Sequence, residues 1–153
     1  MKQMLFSVVA GLTLSLATSA AHAGSDAVVV EDAWARASIG TSRPGAAYME
    51  IRNTGDETVT VTGLVTDLAK MPEIHRTSTD DRGVSSMAPA GEVEIAPEAT
   101  VALEPGGLHA MLMQLQRPMK EGESFSLTLL FSDGGEVRVE IPIRSISARG
   151  PED

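Results

Sequence analysis

The stretch SFSLTLLFSDGGEVRVEIPI, residues 124–143, decides the fold class of this chain. Apolar and polar residues alternate on both sides of Asp133-Gly134-Gly135, which is typical of strands with one buried face. The Asp-Gly-Gly segment supplies the positive-φ positions that a tight turn requires. Similar short runs recur along the chain with turn residues between them: VVVEDAWARAS, AAYMEIRNT, TVTVTGLVT, EIHRTST, EVEIAP, TVALEP and LHAMLMQL. We therefore predict a single all-β domain, an antiparallel sandwich or barrel.

Turn and helix signals agree with this prediction. Further turns are expected at 53–56, 81–83 and 104–107, where Gly, Pro, Asn and Asp cluster. No long stretch carries the apolar spacing and caps of a helix, so only short connectors such as 67–70 are candidates for a helical turn. Residues 144–153 predict a polar, poorly ordered C-terminal tail, which leaves 24–143 as the domain.

The first 23 residues, MKQMLFSVVAGLTLSLATSAAHA, have the layout of a cleavable secretory signal peptide. Lys2 is followed by an apolar run and then by the small-residue end Ala21-His22-Ala23. That run is shorter than the roughly 18 to 20 residues that span a bilayer. We expect an exported mature chain that begins near Gly24 and is not inserted in the membrane.

The charge of the chain argues against two classes of partner. Twelve basic and 21 acidic side chains give a net charge of −9, and loss of Lys2 with residues 1–23 makes it −10. Such a surface repels phosphate backbones and anionic lipid headgroups. Nucleic acids and membrane surfaces are therefore poor candidate partners.

The chain contains no cysteine, which restricts its possible chemistry. Zinc ribbons, iron-sulfur clusters, blue copper centres and cysteine nucleophiles all need a thiolate and are excluded. The sequence also lacks a Gly-x-Ser-x-Gly turn, a phosphate-binding glycine loop and a His-Glu-x-x-His helix. We predict that the protein is not an enzyme and that any metal site uses His, Met or carboxylate ligands.

Histidine and methionine provide the candidate ligands. Residues two apart in a strand share a face, about 6.5 to 7 Å apart, so His109 and Met111 point the same way. The turn at Gly106-Gly107 places them at the rim of the sandwich, where other strands can bring His75 and Met87 close. Thioether sulfur is a soft ligand that favours Cu(I), and a charge of about +1 on such a site favours a solvent-reachable position.

The remaining methionines and aromatic residues have simpler interpretations. Met49, Met71 and Met119 are expected to fill the core, as single methionines usually do. Trp34 and Tyr48, the only Trp and Tyr, are also expected to pack in the core.

The spacing of the four candidate ligands resembles a known signature. His75 is followed by one residue, then ten, then Met87, then twenty-one, and His109 and Met111 are separated by one. This array is similar to the H(M)X10MX21HXM signature of the periplasmic Cu(A) copper chaperones, the PCu(A)C proteins. The flanking sequence is also similar to that family: WARAS at 34–38, PGAAYMEIRNTGD at 44–56, EIHRT at 73–77 and LEPGGLHAMLMQL at 103–115.

The resemblance implies a fold and a function for the whole mature chain. The fold is a cupredoxin-like Greek-key β-sandwich, and the Cu(I) ligands are His75, Met87, His109 and Met111. The activity is to bind copper in the periplasm and deliver it to the Cu(A) subunit of cytochrome c oxidase, in some systems with a thiol-containing partner chaperone. A small acidic carrier of this kind is expected to be a monomer.

Two departures from the family pattern lead to further expectations. Arg76 occupies the optional methionine position, so its cation is expected near the metal. The tail RSISARGPED lacks the His and Met of longer members, which predicts one Cu(I) per chain. Met113 lies beyond the signature and is interpreted as a packing residue behind the ligands.

Two rival functions use the same sequence features differently. A periplasmic copper-sequestering or resistance protein would use the same His/Met site for storage. A sandwich module for protein–protein adhesion would keep these residues for purely structural reasons. A small redox enzyme is less favoured, because four protein ligands leave no open coordination position.

Overall fold

The computed structural model describes residues 24–153, and the predicted signal peptide lies outside them. Among these described residues no helix has the length and apolar character needed to cross a membrane. A 3₁₀ turn, Gly24–Ala27, precedes ten strands. The strands are β1 (Val28–Arg36), β2 (Gly45–Asn53), β3 (Val59–Val65), β4 (Ala69–Thr79), β5 (Ser85–Pro89), β6 (Val93–Ile95), β7 (Thr100–Leu103), β8 (Leu108–Leu115), β9 (Ser124–Phe131) and β10 (Glu136–Arg144).

The strands follow one continuous order that forms two layers. The first layer runs β5-β4-β8-β7-β2-β1, with β8 also paired to β2, and the second runs β10-β9-β3-β6. A short parallel pairing of β1 with β10 joins them. Neighbours such as β4 and β8, or β3 and β9, are far apart in the chain, as Greek-key connections require. The predicted all-β sandwich is confirmed.

Alternation along each strand separates the core from the outer faces. In β9 every second residue, from Phe125 to Phe131, is buried, as the opening pattern predicts. In β8, Leu108, Ala110 and Leu112 are buried in the core. The alternate residues His109, Met111 and Met113 therefore face outward.

Three of the predicted turns have the expected backbone. Gly83, Gly106 and Gly134 have φ values of 78°, 86° and 83°, a region that favours glycine. Asp133 beside Gly134 accepts hydrogen bonds from the backbone N–H groups of Ser25 and Gly135, both at 2.8 Å. These bonds lower the pKa of Asp133 and attach the Gly24–Ala27 turn to the β9–β10 hairpin.

Two local predictions are wrong. Residues 67–70 form no helical turn, because Leu68 and Ala69 are buried in the core and β4 begins at Ala69. Met71 is 43% exposed rather than buried, because it lies on the outer face of β4. The core positions of Met49 and Met119 are confirmed.

The C-terminal segment also differs from the expected poorly ordered tail. Arg144 ends β10, and within residues 145–153 Ala148 contacts the outer face of the first layer. Ala148 is buried against Trp34 and Tyr48, in a cluster separate from the main core. The Nε–H of Arg36 donates to the Ala148 carbonyl at 2.7 Å. The contact is made by one small side chain and one backbone carbonyl. The polar composition of residues 144–153 therefore does not predict it.

Residues on the two faces of β8 should differ in how much stability is lost when they are replaced by alanine. Leu112→Ala removes a fully buried side chain and should lower the free energy of unfolding by about 2 to 5 kcal/mol. Met113→Ala, on the next residue but on the outer face, should cost about 1 kcal/mol or less. Urea denaturation of both variants measures the difference, and equal losses would contradict this orientation of the strand.

Candidate metal centre

Strand register places the predicted ligands on one face of the first layer. In the antiparallel β4–β8 pair, His75 lies opposite His109 and Glu73 lies opposite Met111. In the β4–β5 pair, Met87 lies opposite Thr77. Directly opposed residues of an antiparallel pair share a face, and so do residues two apart in one strand. All four candidate ligands therefore lie on the outer face of three adjacent strands.

The β4–β5 hairpin positions Met87. At its turn, Asp80 Oδ1 accepts hydrogen bonds from the backbone N–H groups of Arg82 at 3.0 Å and Val84 at 2.9 Å. These bonds to the charged carboxylate lower the pKa of Asp80. The short turn fixes the register of β5, because loop geometry sets pairing in a hairpin. Met87 is thereby placed diagonally next to His75.

The two imidazoles are close and nearly buried. Their ring centroids are 6.2 Å apart with an interplanar angle of 48°. His75 is 8% exposed and His109 is 6% exposed. An ion bonded at about 2 Å to one nitrogen of each ring lies roughly 3 Å from each ring centre, so a shared ion requires centres no more than about 6 Å apart, and the observed separation of 6.2 Å is at that limit.

A backbone carbonyl orients His109. Its Nδ1 lies 3.2 Å from the carbonyl oxygen of Gly107, which can only accept a hydrogen bond. Nδ1 is therefore the protonated nitrogen, and Nε2 keeps its lone pair for a metal. The Gly106-Gly107 turn thus supplies the group that fixes the ring.

A carboxylate orients His75. Its Nε2 lies 3.2 Å from Glu73 Oε2, and because a carboxylate only accepts, Nε2 carries the hydrogen. The other nitrogen, Nδ1, is buried without a hydrogen-bond partner among residues 24–153. Buried acceptors without partners are uncommon and need an explanation, and a metal ion is one. Glu73 is a residue that the sequence reasoning missed, although its Glu-x-His spacing predicts a shared strand face.

The thioethers differ from the imidazoles in exposure. Met87, on edge strand β5, is 58% exposed, while Met111 is half-buried. Met87, Met111 and His109 line one open pocket of about 410 Å³, and His75 lies beside His109 outside this lining. The site is thus on the outward face of the sheet near the start of β8, rather than at a rim formed by loops alone.

Arg76 does not lie where the sequence suggested. It is opposed to Leu108 in β8 and Ala88 in β5, so it belongs to the face opposite that of His75. The cation expected beside the metal is therefore not on the ligand face. Met113 is opposed to Met71, two residues further along that face from Met111.

Two other arginines, missed by the sequence reasoning, do line the pocket. Arg36 and Arg43 lie on its wall together with Tyr48. The Arg36 guanidinium carbon is 5.5 Å from the centre of the Tyr48 ring and 5.7 Å from that of Trp34. Burial raises the pKa of Tyr48, and the Arg36 charge partly offsets that rise. The burial predicted for Trp34 and Tyr48 is confirmed, but on this face and not in the main core.

The donor set limits the ion that this face can hold. Within the described part of the chain no three His, Cys, Asp or Glu side chains are grouped to bind a metal. The candidate site on this face combines the two imidazoles with thioether sulfur. Such a mixed set suits soft ions and contributes little to binding Mg²⁺ or Ca²⁺.

Comparison with solved structures defines the class of protein. The fold matches the apo PCuAC domain of PmoF2 with a TM-score of 0.65 and 21% identity, over 81% of this chain and 94% of that one. It also matches CuI-DR1885 from Deinococcus radiodurans with a TM-score of 0.61 and 33% identity, over 76% of each chain. This is the fold of a PCuAC domain.

Sequence comparison identifies the family. Residues 28–143 match the model of the LpqE-like family, described as "Putative lipoprotein LpqE-like". The curated "Putative lipoprotein Lxx21020" of Leifsonia xyli subsp. xyli (strain CTCB07) is 34% identical over 139 residues, which cover 90% of this chain and 82% of that protein. The chain belongs to the LpqE-like family.

The single tyrosine provides a direct test of the pocket wall. Tyr48 should ionise above its ordinary pKa of 10.0 because it is partly desolvated. Arg36→Gln should raise that pKa further, because it removes the cation that stabilises the phenolate. Spectrophotometric alkaline titration measures both, with Arg52→Gln as a control for the loss of one charge. Ionisation at the ordinary value, or no difference between the variants, would contradict the arrangement.

Proposed function

We propose that this protein is a Cu(I)-binding metallochaperone that holds one ion through His75, Met87, His109 and Met111. The observation that carries the proposal is the register of β4 with its two neighbours, because β8 opposes the two histidines and carries Met111 while β5 adds Met87 to the same face. Two relatives support it. One solved structure is a copper-bound PCuAC domain from PmoF2, and another is the Cu(I) form of DR1885.

The ligand chemistry favours a monovalent copper ion. Two nitrogens and two thioether sulfurs are neutral, so the bound site carries a charge of about +1. Such a charge is tolerated at a half-open surface but is expensive in a dry core. Methionine also keeps its ligand ability in an oxidising compartment, where a free thiol is lost to oxidation. The arrangement is consistent with an exported protein.

The exposures of the ligands favour transfer by ligand exchange. The two imidazoles are nearly buried and each is oriented by a hydrogen bond, whereas Met87 is 58% exposed on an edge strand. An incoming ligand from an acceptor can replace the Met87 sulfur first while the imidazoles still hold the ion. The acceptor we propose is the Cu(A) subunit of cytochrome c oxidase in the periplasm, with a thiol-containing chaperone as co-partner. The protein acts as a monomer and not as an enzyme.

Copper storage is the second candidate function, and the low exposure of the two histidines favours it. Retention and delivery use the same site, so binding data do not separate them. A strain that lacks the protein should lose cytochrome c oxidase activity at limiting copper if the protein delivers the ion. Normal oxidase activity combined with sensitivity to excess copper would favour storage.

An anaerobic Cu(I) competition titration should give one tight equivalent per chain. His75→Ala and His109→Ala should each weaken binding by more than about a hundredfold, since even partners outside the ligand shell contribute roughly 10- to 100-fold. Met113→Leu is the matched control and should retain affinity within about tenfold. If neither histidine substitution changed the Cu(I) affinity, the remaining hypothesis would be a sandwich module for adhesion in which these residues are structural.

Glu73 should contribute to affinity through His75. Glu73→Ala removes the acceptor at 3.2 Å from the ring, and Cu(I) affinity should fall by about tenfold. Glu94→Ala, on β6 in the second layer, removes an exposed carboxylate that is not a hydrogen-bond partner of either imidazole and should have no effect. Equal affinities of the Glu73 variant and the unmodified protein would show that this carboxylate does not position the ring.

A further inference from the structure

We infer that the pocket beside the candidate ligands binds a carboxylate side chain of the protein with which copper is exchanged, through Arg36 and Arg43. The inference rests on the proposed function, because it specifies the chemistry of the partner surface that docks over the site. Its basis is the placement of these two arginines on the pocket wall, their lack of ionic partners and the contacts that hold Arg36.

A β-bulge places Arg36 on the ligand face. The β1–β2 register shifts by one residue between Glu31 and Trp34, and Asp32 within this interval has a φ of 52°. After the shift, Trp34 is opposed to the outward-facing Tyr48. Without the extra residue, Arg36 would lie on the inner face of the sheet and point into the apolar core. The strained Asp32 conformation is thus tied to the presence of a cation beside the site.

Arg36 is held rigidly, and these contacts do not use all of its N–H donors. Its Nε–H donates to the Ala148 carbonyl at 2.7 Å, and Nη1 lies 3.4 Å from the Tyr48 hydroxyl. The guanidinium lies over the rings of Trp34 and Tyr48. Of the five N–H groups of a guanidinium, these contacts use two. A pre-organised planar donor group of this kind matches the geometry of a carboxylate.

The pocket contains no negative charge that would balance its two arginines. Its lining contains two arginines and no Asp or Glu, although the whole chain has 21 acidic residues and a net charge of −9. Neither Arg36 nor Arg43 forms an ion pair within residues 24–153. A half-buried cation is stabilised by an opposite charge that accepts its hydrogen bonds. The negative charge that would pair with these arginines must therefore come from another molecule.

Position and charge together favour a protein partner. The same pocket is lined by Met87, Met111 and His109, so a group bound to the arginines sits beside the exchange ligands. An acidic protein repels other acidic surfaces at a distance, and a local cationic pocket selects the orientation in which they meet. An acidic residue next to the acceptor's own copper ligands would use this pocket to align the two sites.

Copper removal by two chelators tests the inference. Bicinchoninate carries two carboxylates, whereas neocuproine is neutral, and both bind Cu(I). Arg36→Gln and Arg43→Gln should each slow copper removal by bicinchoninate about three- to tenfold, with the effect fading at high salt. Removal by neocuproine should stay within about twofold. Arg52→Gln, which removes an exposed charge on β2 outside the pocket, should change neither rate.

Fold integrity is controlled by the choice of variants. Arg36→Gln loses contacts to Ala148 and Tyr48, so it can destabilise the sandwich, whereas Arg43 is exposed in the segment before β2. Arg36→Lys keeps the charge but not the planar donor group, and should retain part of the rate. Equal slowing with both chelators, or the same slowing in Arg52→Gln, overturns the inference.

A metal-free experiment separates this inference from the proposed function. Glutarate added to the apo protein should perturb the fluorescence of Trp34, the only tryptophan, at millimolar concentrations, and Arg43→Gln should abolish the change. No response overturns the inference even if copper binds. A protein that takes up no Cu(I) refutes the proposed function, while the glutarate result still decides whether the pocket binds carboxylates. Micromolar glutarate binding would assign the pocket to a free small carboxylate and overturn the protein partner.

Discussion

The antiparallel pairing of β4 with β8 is the constraint on which the rest of the structure depends. It opposes His75 to His109 on the outer face and Ile74 to Ala110 on the inner face, so one set of backbone hydrogen bonds fixes both the core and the site. A slip of one residue in either strand would turn its imidazole into the apolar core and expose its aliphatic neighbours. The burial energy of the inner face therefore holds the outer face in register.

The site combines rigidity with access. The two imidazoles are nearly buried, and each has one nitrogen held by a neighbouring acceptor, either Glu73 or the Gly107 carbonyl. This arrangement restricts the tautomer and the orientation of each ring before any ion binds. Met87 differs, because it stands on an edge strand and is largely exposed. Ordered imidazoles beside an accessible thioether are the combination that the proposed retention and stepwise exchange require.

The outer face has a second stabilising cluster beside the site. Trp34, Tyr48 and Ala148 pack there, and Arg36 is held among them by contacts with both rings and with the Ala148 carbonyl. The C-terminal segment thus helps to position a cation at the edge of the ligand pocket. In a chain with a net charge of −9, this cluster makes the site face electrostatically different from the surface as a whole.

The fold class, several turns and four ligand candidates could be predicted before the structure was known, because alternation, glycine placement and ligand spacing are visible in the order of the residues. The assignment of those four residues as copper ligands stays a prediction that their shared face supports. The contact of Glu73 with His75, the exposure of Met71, the contact of Ala148 and the position of Arg36 became visible in the folded structure. The reason is physical. Local periodicity shows which residues alternate, but long-range pairing decides which strands meet, and a bulge such as that at Asp32 reverses which residues face outward after it.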